Sequence, residues 1–358
     1  YYYFLHKDAV KIISLNMIKC LKISAYLLGA IIGAGFASGK EIVSFLGKDG
    51  LGIGNAVVCA IFVFVLCGSF LLSAHFAGGG GFSAVNKTLF PRMHCFFDIC
   101  VAFNALIVLS AMTAVVTEIG NNFYPLKQIY SVVFLLFVVF IVYKGQTWVL
   151  NGSYIMMFFI VAVIIAVSTE NFSSGESILE QRFSVKNCFS YISMNMFLSA
   201  GAMLSHNRLS KRQRVAVAGI VAVCVGALIF TLAFAIRCAG CEGENIPIFA
   251  LSSRLGKIAY YLSVVLLILS AITTSTAAVS EVSHFLSPVT GKKTALSVAV
   301  IAGFTLSLFG FEKVVEQFYP VIGILGGIYF IFVFKYLAVA LFNKFFHKRN
   351  GKVHDGGK

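Results

Sequence analysis

Ten apolar runs follow one another along the chain, at 23–46, 51–75, 96–117, 126–143, 147–168, 187–205, 215–236, 257–283, 294–311 and 318–343. Each is about as long as a helix that crosses a bilayer, which takes roughly 17–25 predominantly apolar residues. Inside hydrocarbon every backbone amide has to be satisfied within its own segment, so such a chain folds as packed helices. Composition agrees: 59% of the residues are hydrophobic and 12% charged, against about 45–50% and about 25% in soluble domains. A soluble enzyme and a disordered chain are both excluded. The expected class is an all-α integral membrane protein, with the lipid bilayer as its first partner.

The net charge of +14 does not point to nucleic acid, because a duplex reader needs a water-facing basic surface, and here the basic residues fall between apolar runs. Distributed over alternate loops they number 18 on one side and 8 on the other, with Lys40 and Lys335 inside runs. Glu170, Glu176, Glu180, Glu242, Glu244, Glu312 and Glu316 all fall on the basic-poor side. By the positive-inside rule both termini are expected in the cytoplasm of a multi-pass cell-membrane protein. Four of the nine cysteines, Cys59, Cys67, Cys100 and Cys224, lie in apolar runs, where a thiol behaves as a small hydrophobe. Cys238-x-x-Cys241 has no second pair nearby, so no metal site is expected. No cofactor is expected either, and no constellation of nucleophile and base suggests an enzyme.

The longest polar stretch divides the chain. Residues 1–22 form a cytoplasmic N-terminal segment, 23–168 a first set of five spans, 169–186 an external linker, 187–343 a second set of five, and 344–358 a basic cytoplasmic tail. Met17 is a candidate native start; otherwise Ala9–Lys22 is expected as an amphipathic helix on the membrane surface. An odd number of spans per half makes the halves insert with opposite orientation, which is the plan of an inverted repeat. Gly78–Gly81 is expected as a flexible connection. The five prolines are expected in loops or at span starts, Pro288 among them.

Span one contains Gly29-Ala30-Ile31-Ile32-Gly33-Ala34-Gly35-Phe36-Ala37-Ser38-Gly39-Lys40-Glu41. Four glycines in thirteen residues, each costing about 1 kcal/mol against Ala, make a poor continuous helix. Two readings stand side by side: close packing through small-xxx-small faces, and an unwound segment that offers backbone groups to a ligand. The charged pair Lys40-Glu41 favours the second, since intramembrane charges are functional by default. Span six offers a similar place at Asn195–Met203, rich in small and polar residues. Span eight places Ser270, Thr274, Ala277 and Glu281 on one helical face. Their hydroxyls either bond back to their own helix or supply oxygens to a hard cation such as sodium.

The string Ile32-Gly33-Ala34-Gly35-Phe36-Ala37-Ser38-Gly39-Lys40-Glu41-Ile42 resembles the signature of the YkvI-like family of bacterial membrane proteins. Members usually carry Gln where this chain has Lys40. That family is similar to the amino acid–polyamine–organocation superfamily, so the resemblance implies a LeuT fold of five plus five inverted helices, with helices 1 and 6 broken. It implies substrate contacts at Gly33, Ala34, Gly35, Phe36, Ser38, Ser199, Ala200 and Gly201. It also implies a possible sodium ion held by the Gly29 and Ile32 carbonyls, the Ser270 carbonyl and the Thr273 and Thr274 hydroxyls, with Lys40 and Glu41 in coupling or gating. The expected function is secondary active transport of a small organic solute, an amino acid or related compound, by cation-coupled alternating access. The rival readings are a non-transporting protein of the same fold, acting as sensor or assembly partner, and a channel. Solute identity, transport direction and oligomeric state are left open.

Overall fold

The protein is described from a computed structural model that covers residues 2–47, 50–78, 82–126, 128–144, 147–172, 183–204 and 208–354, with side chains for all of these except 2–16, 147–157, 202 and 344–354. Part of the expected linker, the tip of the Gly78–Gly81 run and the last four residues lie outside this set.

The described residues contain helices and no strand. In chain order they are α1 (Tyr2–Ile31), α2 (Ala34–Ser38), α3 (Lys40–Leu46), α4 (Ile53–Ala77), α5 (Phe82–Leu89), α6 (His94–Phe123), α7 (Ile129–Lys144), α8 (Thr147–Glu170), α9 (Val185–Leu198), α10 (Ala200–Leu204), α11 (Lys211–Cys238), α12 (Pro247–Arg254), α13 (Lys257–Thr290), α14 (Lys292–Ser307), α15 (Phe311–Lys313) and α16 (Tyr319–His354). A π-helical stretch, Val314–Phe318, joins the last two. Among the described residues five helical segments are long and apolar enough to cross a membrane: α4, α6, α11, α13 and Phe311–Asn343. Each apolar run of the sequence falls on a helix or on consecutive helices.

Boundaries follow local chemistry. Ser210 starts α11 with a reciprocal cap: its hydroxyl accepts from the Gln213 N–H (3.3 Å), and the Gln213 side chain accepts from the Ser210 N–H (3.0 Å). Such caps are worth about 1 kcal/mol. Ser184 caps α9 in one direction only, its hydroxyl accepting from the Asn187 N–H (3.3 Å), while its own N–H donates to the Asn55 side chain (3.2 Å). Two sequence expectations are corrected. Pro288 lies inside α13 rather than in a loop, because the helix runs on to Thr290. The segment Ala9–Lys22 is continuous with α1 rather than a separate surface helix.

Two helices arise where loops were expected. The face of α5 that carries Val85, Asn86 and Leu89 is buried. Asn86 accepts a hydrogen bond from the Tyr329 hydroxyl on α16 (2.8 Å), inside a nest made by the rings of Phe70, Phe82, Phe90, Phe97 and Phe197. Pro247 opens α12 at its first position, where the missing N–H costs nothing.

The long helices sort into two groups. In one, α1 packs on α11, α11 on α4, and α4 on α9; in the other, α6, α7, α13 and α14 all touch one another. Between the groups, α8 lies against α1, α11 and α13, and α16 lies on α9 and α4. Glycines set the closest approaches inside this framework. A Cβ at Gly226 of α11 would stand 2.7 Å from the Ala60 Cβ of α4, one at Gly303 of α14 2.7 Å from Leu109 of α6, and one at Gly326 of α16 2.6 Å from the Ser193 carbonyl of α9. Dispersion contacts between nearly bare backbones hold such helices together where no hydrophobic drive exists.

Candidate functional site

A cavity of about 1010 Å³ opens between the two groups. At one end its walls carry Ser83, Lys87, Cys95, His284 and Pro288, all exposed; at the other they carry Gly35, Glu41, Asn195 and Tyr319, all buried. The first end belongs to the basic side of the charge count, and the cavity is therefore open there and closed toward the acidic side.

Its closed end is built by the glycine-rich segment. Helical bonding lapses after Ile31, and Gly33 is extended (φ −86°, ψ −179°) before α2 begins. A Cβ at Gly33 would still find ordinary contact, 3.4 Å from the Thr274 Oγ1 on α13. Gly35 has no such room: a Cβ there would overlap the Glu41 carboxylate and lie 2.7 Å from its Cδ. Gly39 turns the chain between α2 and α3 with φ +83°, and a Cβ would also meet Ile236 at 2.8 Å and Pro247 at 3.2 Å. That left-handed turn is a position only glycine fills without strain. The glycines therefore serve both readings of the sequence: Gly33 and Gly35 face the cavity, and Gly39 packs against α11 and α12.

Gly33, Gly35, Ser199 and Gly201 line the cavity, whereas Ala34, Phe36, Ser38 and Ala200 are buried in packing. The Ser38 hydroxyl is spent on its own turn, donating to the Gly35 carbonyl (2.7 Å) and accepting from the Lys40 N–H (3.1 Å). The interruption between α9 and α10 is slighter, a single residue at Ser199, whose hydroxyl donates back to the Asn195 carbonyl (2.8 Å). Among the residues with an expected cation role, Gly29, Thr273 and Thr274 reach the cavity wall. Ile32 and Ser270 are buried behind it. Thr273 donates to the Ser270 carbonyl (2.9 Å), as the back-bonding reading expects, while the buried Ser270 hydroxyl has no partner. Thus α13 presents oxygens beside the end of α1.

Lys40 and Glu41 separate. Lys40 turns out of the cavity toward the acidic end, where its ammonium meets Glu312 at 2.8 Å and Glu316 at 3.4 Å. Its side chain is 4% exposed and theirs are 45% and 51% exposed. The two glutamates stand on α15 and on the π-helical stretch. Asn245, between α11 and α12, donates to Glu118 on α6 (3.1 Å). Glu41 faces the cavity, as do Asn195, Glu281 and Tyr319.

Sequence reasoning had Asn195 only as the start of the span-six stretch and Glu281 only on the span-eight face, and it did not place Tyr319, Glu312 or Glu316 at the site. The acidic pair carried a signal, two carboxylates four residues apart on the side where Lys40 ends, but its pairing spans 272 residues. Glu281 was visible on the span-eight face; only the fold brings it to Gly201, whose added Cβ would lie 3.8 Å from its carboxylate.

No family model and no curated protein matches the chain, so the YkvI-like resemblance rests on the first-span motif. Among solved structures the chain is similar to Mhp1, a nucleobase-cation-symport-1 family transporter, in a closed conformation with bromovinylhydantoin bound: TM-score 0.62, 16% identity, covering 88% of this chain and 77% of Mhp1. The inward-facing conformation of Mhp1 gives a TM-score of 0.61 at 11% identity, with coverage of 86% and 73%. At these identities the likeness shows a shared fold. The chain is a helical membrane protein with the fold of Mhp1, a LeuT-type fold.

Proposed function

We propose that the chain is a secondary transporter that moves a small organic solute, an amino acid or related compound, by alternating access coupled to a cation. The observation that carries this reading is the cavity: it runs from one end of the bundle to the interrupted first helix and stops beneath an ion pair at the other end. A channel needs a continuous path, and this cavity ends on the buried residues Gly35, Glu41, Asn195 and Tyr319. The fold shared with Mhp1, itself a transporter, supports the same reading.

In this account the chain has ten spans in a five-plus-five inverted repeat. The grouping of helices favours it. Span for span, α1 and α4 correspond to α9 and α11, while α6 and α7 correspond to α13 and α14; exchanging the halves maps each group onto itself. Helices 1 and 6 are the discontinuous ones, at Gly33 and Ser199. The basic end is cytoplasmic, both termini lie there, and the cavity corresponds to an inward-open state. Solute binds against Gly33, Gly35, Ser199 and Gly201, and Lys40 with Glu312 and Glu316 locks the outer side. Sodium is the co-substrate, held between the Gly29 and Ile32 carbonyls and the Ser270, Thr273 and Thr274 oxygens, hard donors suited to it.

The test is uptake into proteoliposomes, with amino acids and organic acids screened under imposed sodium and proton gradients. Accumulation of a solute driven by the sodium gradient is expected. Failure of every gradient to drive uptake, with protein that is monodisperse and correctly inserted, would leave the sensor or assembly reading in its place.

A further inference from the structure

We infer that Cys95 is a modification site: a histidine-activated thiol that forms a mixed disulfide with a low-molecular-weight disulfide and so caps the mouth of the cavity. The chemistry of the thiol stands by itself, and only its consequence for uptake rests on the transport reading.

The arrangement begins with the turn that joins α5 to α6. Helix α5 ends at Leu89, residues 91–93 turn, and α6 starts at His94. The Pro91 carbonyl, outside both helices, lies 3.0 Å from His94 Nδ1. A carbonyl oxygen only accepts, so Nδ1 carries the ring proton and Nε2 presents its lone pair. That lone pair faces the Cys95 Sγ at 3.3 Å, where it receives the S–H. A thiol, an imidazole and a carbonyl that fixes the tautomer are the nucleophile, base and orienting group of an activated thiol. Cys95 is also the second residue of α6, where N–H groups without intrahelical partners favour the negative charge that grows on an attacking sulfur.

Access separates this thiol from the others. All nine cysteines are free, and Cys95 is the exposed one; six of the rest are buried and two are partly so. Buried thiols are inert, whereas an exposed thiol beside a base is the reactive kind. His94 and Cys95 line the exposed end of the cavity, with Lys87 of α5, Asp98 of α6 and His284 of α13 as ionisable neighbours and Arg92 in the adjoining turn. Asp98 is engaged by the Ser83 hydroxyl (2.7 Å) and the Asn86 amide (2.9 Å), while Lys87 offers an ammonium to a carboxylate-bearing disulfide. In the exchange the Cys95 sulfur attacks one sulfur of that disulfide as His94 Nε2 takes the thiol proton. The new S–S bond forms as the old one breaks, and the departing thiolate leaves with that proton as a free thiol. Cys95 is oxidised, the departing sulfur is reduced, and the disulfide itself is the oxidant. The group left on Cys95 occupies the mouth lined by Ser83, Lys87, His284 and Pro288.

The experiment uses the full chain in detergent, with oxidised glutathione as the probe and intact mass as the readout. One adduct is expected on the wild type, mapped to Cys95 by peptide mass, and none on Cys95→Ser. His94→Gln is expected to form it about tenfold more slowly at about pH 7, where an unassisted thiol is only a few per cent ionised. At about pH 9.5, where a thiol ionises without help, the two are expected to react alike. Absence of the adduct, its placement on another cysteine, or equal rates at neutral pH would overturn the inference. A deficit in His94→Gln that persists at the higher pH would make His94 a structural residue and overturn its role as base. In proteoliposomes with the probe on both faces, treatment is expected to stop uptake by the wild type, dithiothreitol to restore it, and Cys95→Ser to transport throughout. An adduct that leaves uptake intact would overturn the cap. Wild-type protein that transports nothing before treatment would instead strike the transport reading and leave the modification site standing.

Discussion

Neutralising both acids that hold Lys40, in the double variant Glu312→Gln/Glu316→Gln, is expected to open the acidic end of the protein. At an effective dielectric of about 20, charges at 2.8 Å and 3.4 Å attract by about 6 and about 5 kcal/mol. Most of this is offset, since burying an ammonium costs several kcal/mol and the two glutamates are half exposed and screened. The net value of the intact pair is on the order of 2 kcal/mol. The double variant removes the attraction but leaves Lys40 buried, so the closed arrangement loses more than that net value, about 3 kcal/mol or more. Opening hydrates Lys40, and the opening constant is expected to rise about a hundredfold or more. Lys40→Met removes attraction and burial cost together, forfeits only the net value of about 2 kcal/mol, and is expected to raise the constant by about thirtyfold at most. Spin labels at Ser253 of α12 and at Leu308, both exposed at the acidic end, report the separation by double electron–electron resonance. A wild-type distance distribution in the double variant would refute the lock. Equal opening by Lys40→Met would refute the balance of terms from which the magnitude was worked.

Thr274→Val is expected to raise the sodium concentration for half-maximal uptake by tenfold to a hundredfold, the worth of one oxygen contact to a charge; uptake driven equally by protons in sodium-free buffer would count against the assignment. Gly39→Ala combines a left-handed φ with contacts at 2.8 Å and 3.2 Å, and is expected to cost about 1–3 kcal/mol, read as a lower midpoint of thermal unfolding. Gly35→Ala meets only the flexible end of Glu41, so it is expected to leave that midpoint nearly unchanged while lowering solute uptake in proteoliposomes. Single cysteines at Ser210 and Ser253 are expected to react with membrane-impermeant maleimide from opposite faces of oriented vesicles; reaction of both from one face would overturn the topology.

The helices were legible because hydrophobic runs of membrane length have one economical backbone solution, and their ends were legible to within a few residues at Ser210 and Lys257. The place of the helix interruption was legible too, since glycine at 33, 35 and 39 is costly unless something requires it. Two kinds of feature escaped. Helices α5 and α12 are too short for a span and carry mixed faces, so nothing in a window of membrane length marks them; their burial against α6 and α13 decides them. Pairings across the fold escaped as well. Lys40 and Glu41 are adjacent in sequence and alike in exposure, yet one is turned to Glu312 and the other to the cavity by the path of α3 from Gly39. The expected substrate residues divide at the breaks: Gly33 and Gly35, and Ser199 and Gly201, line the cavity two residues apart, while Ala34, Phe36 and Ala200 are buried in packing.

The glycine contacts at Gly226 and Gly303 join helices within one group, α11 to α4 and α14 to α6, closer than any larger side chain allows, which favours each group moving as one piece. Along the cavity the packing is looser: a Cβ at Gly33, just before α2, would find ordinary contact with Thr274 of α13. A molecule that touches only one solid piece has the same affinity whichever way the two are tilted, and so exerts no torque on them. Only cargo that reaches both walls at once, Glu41 on one and α13 on the other, can act as a latch. In the proposed transport cycle, span, rather than affinity for either wall, would therefore be the property that separates solutes that move the protein from solutes that merely occupy it.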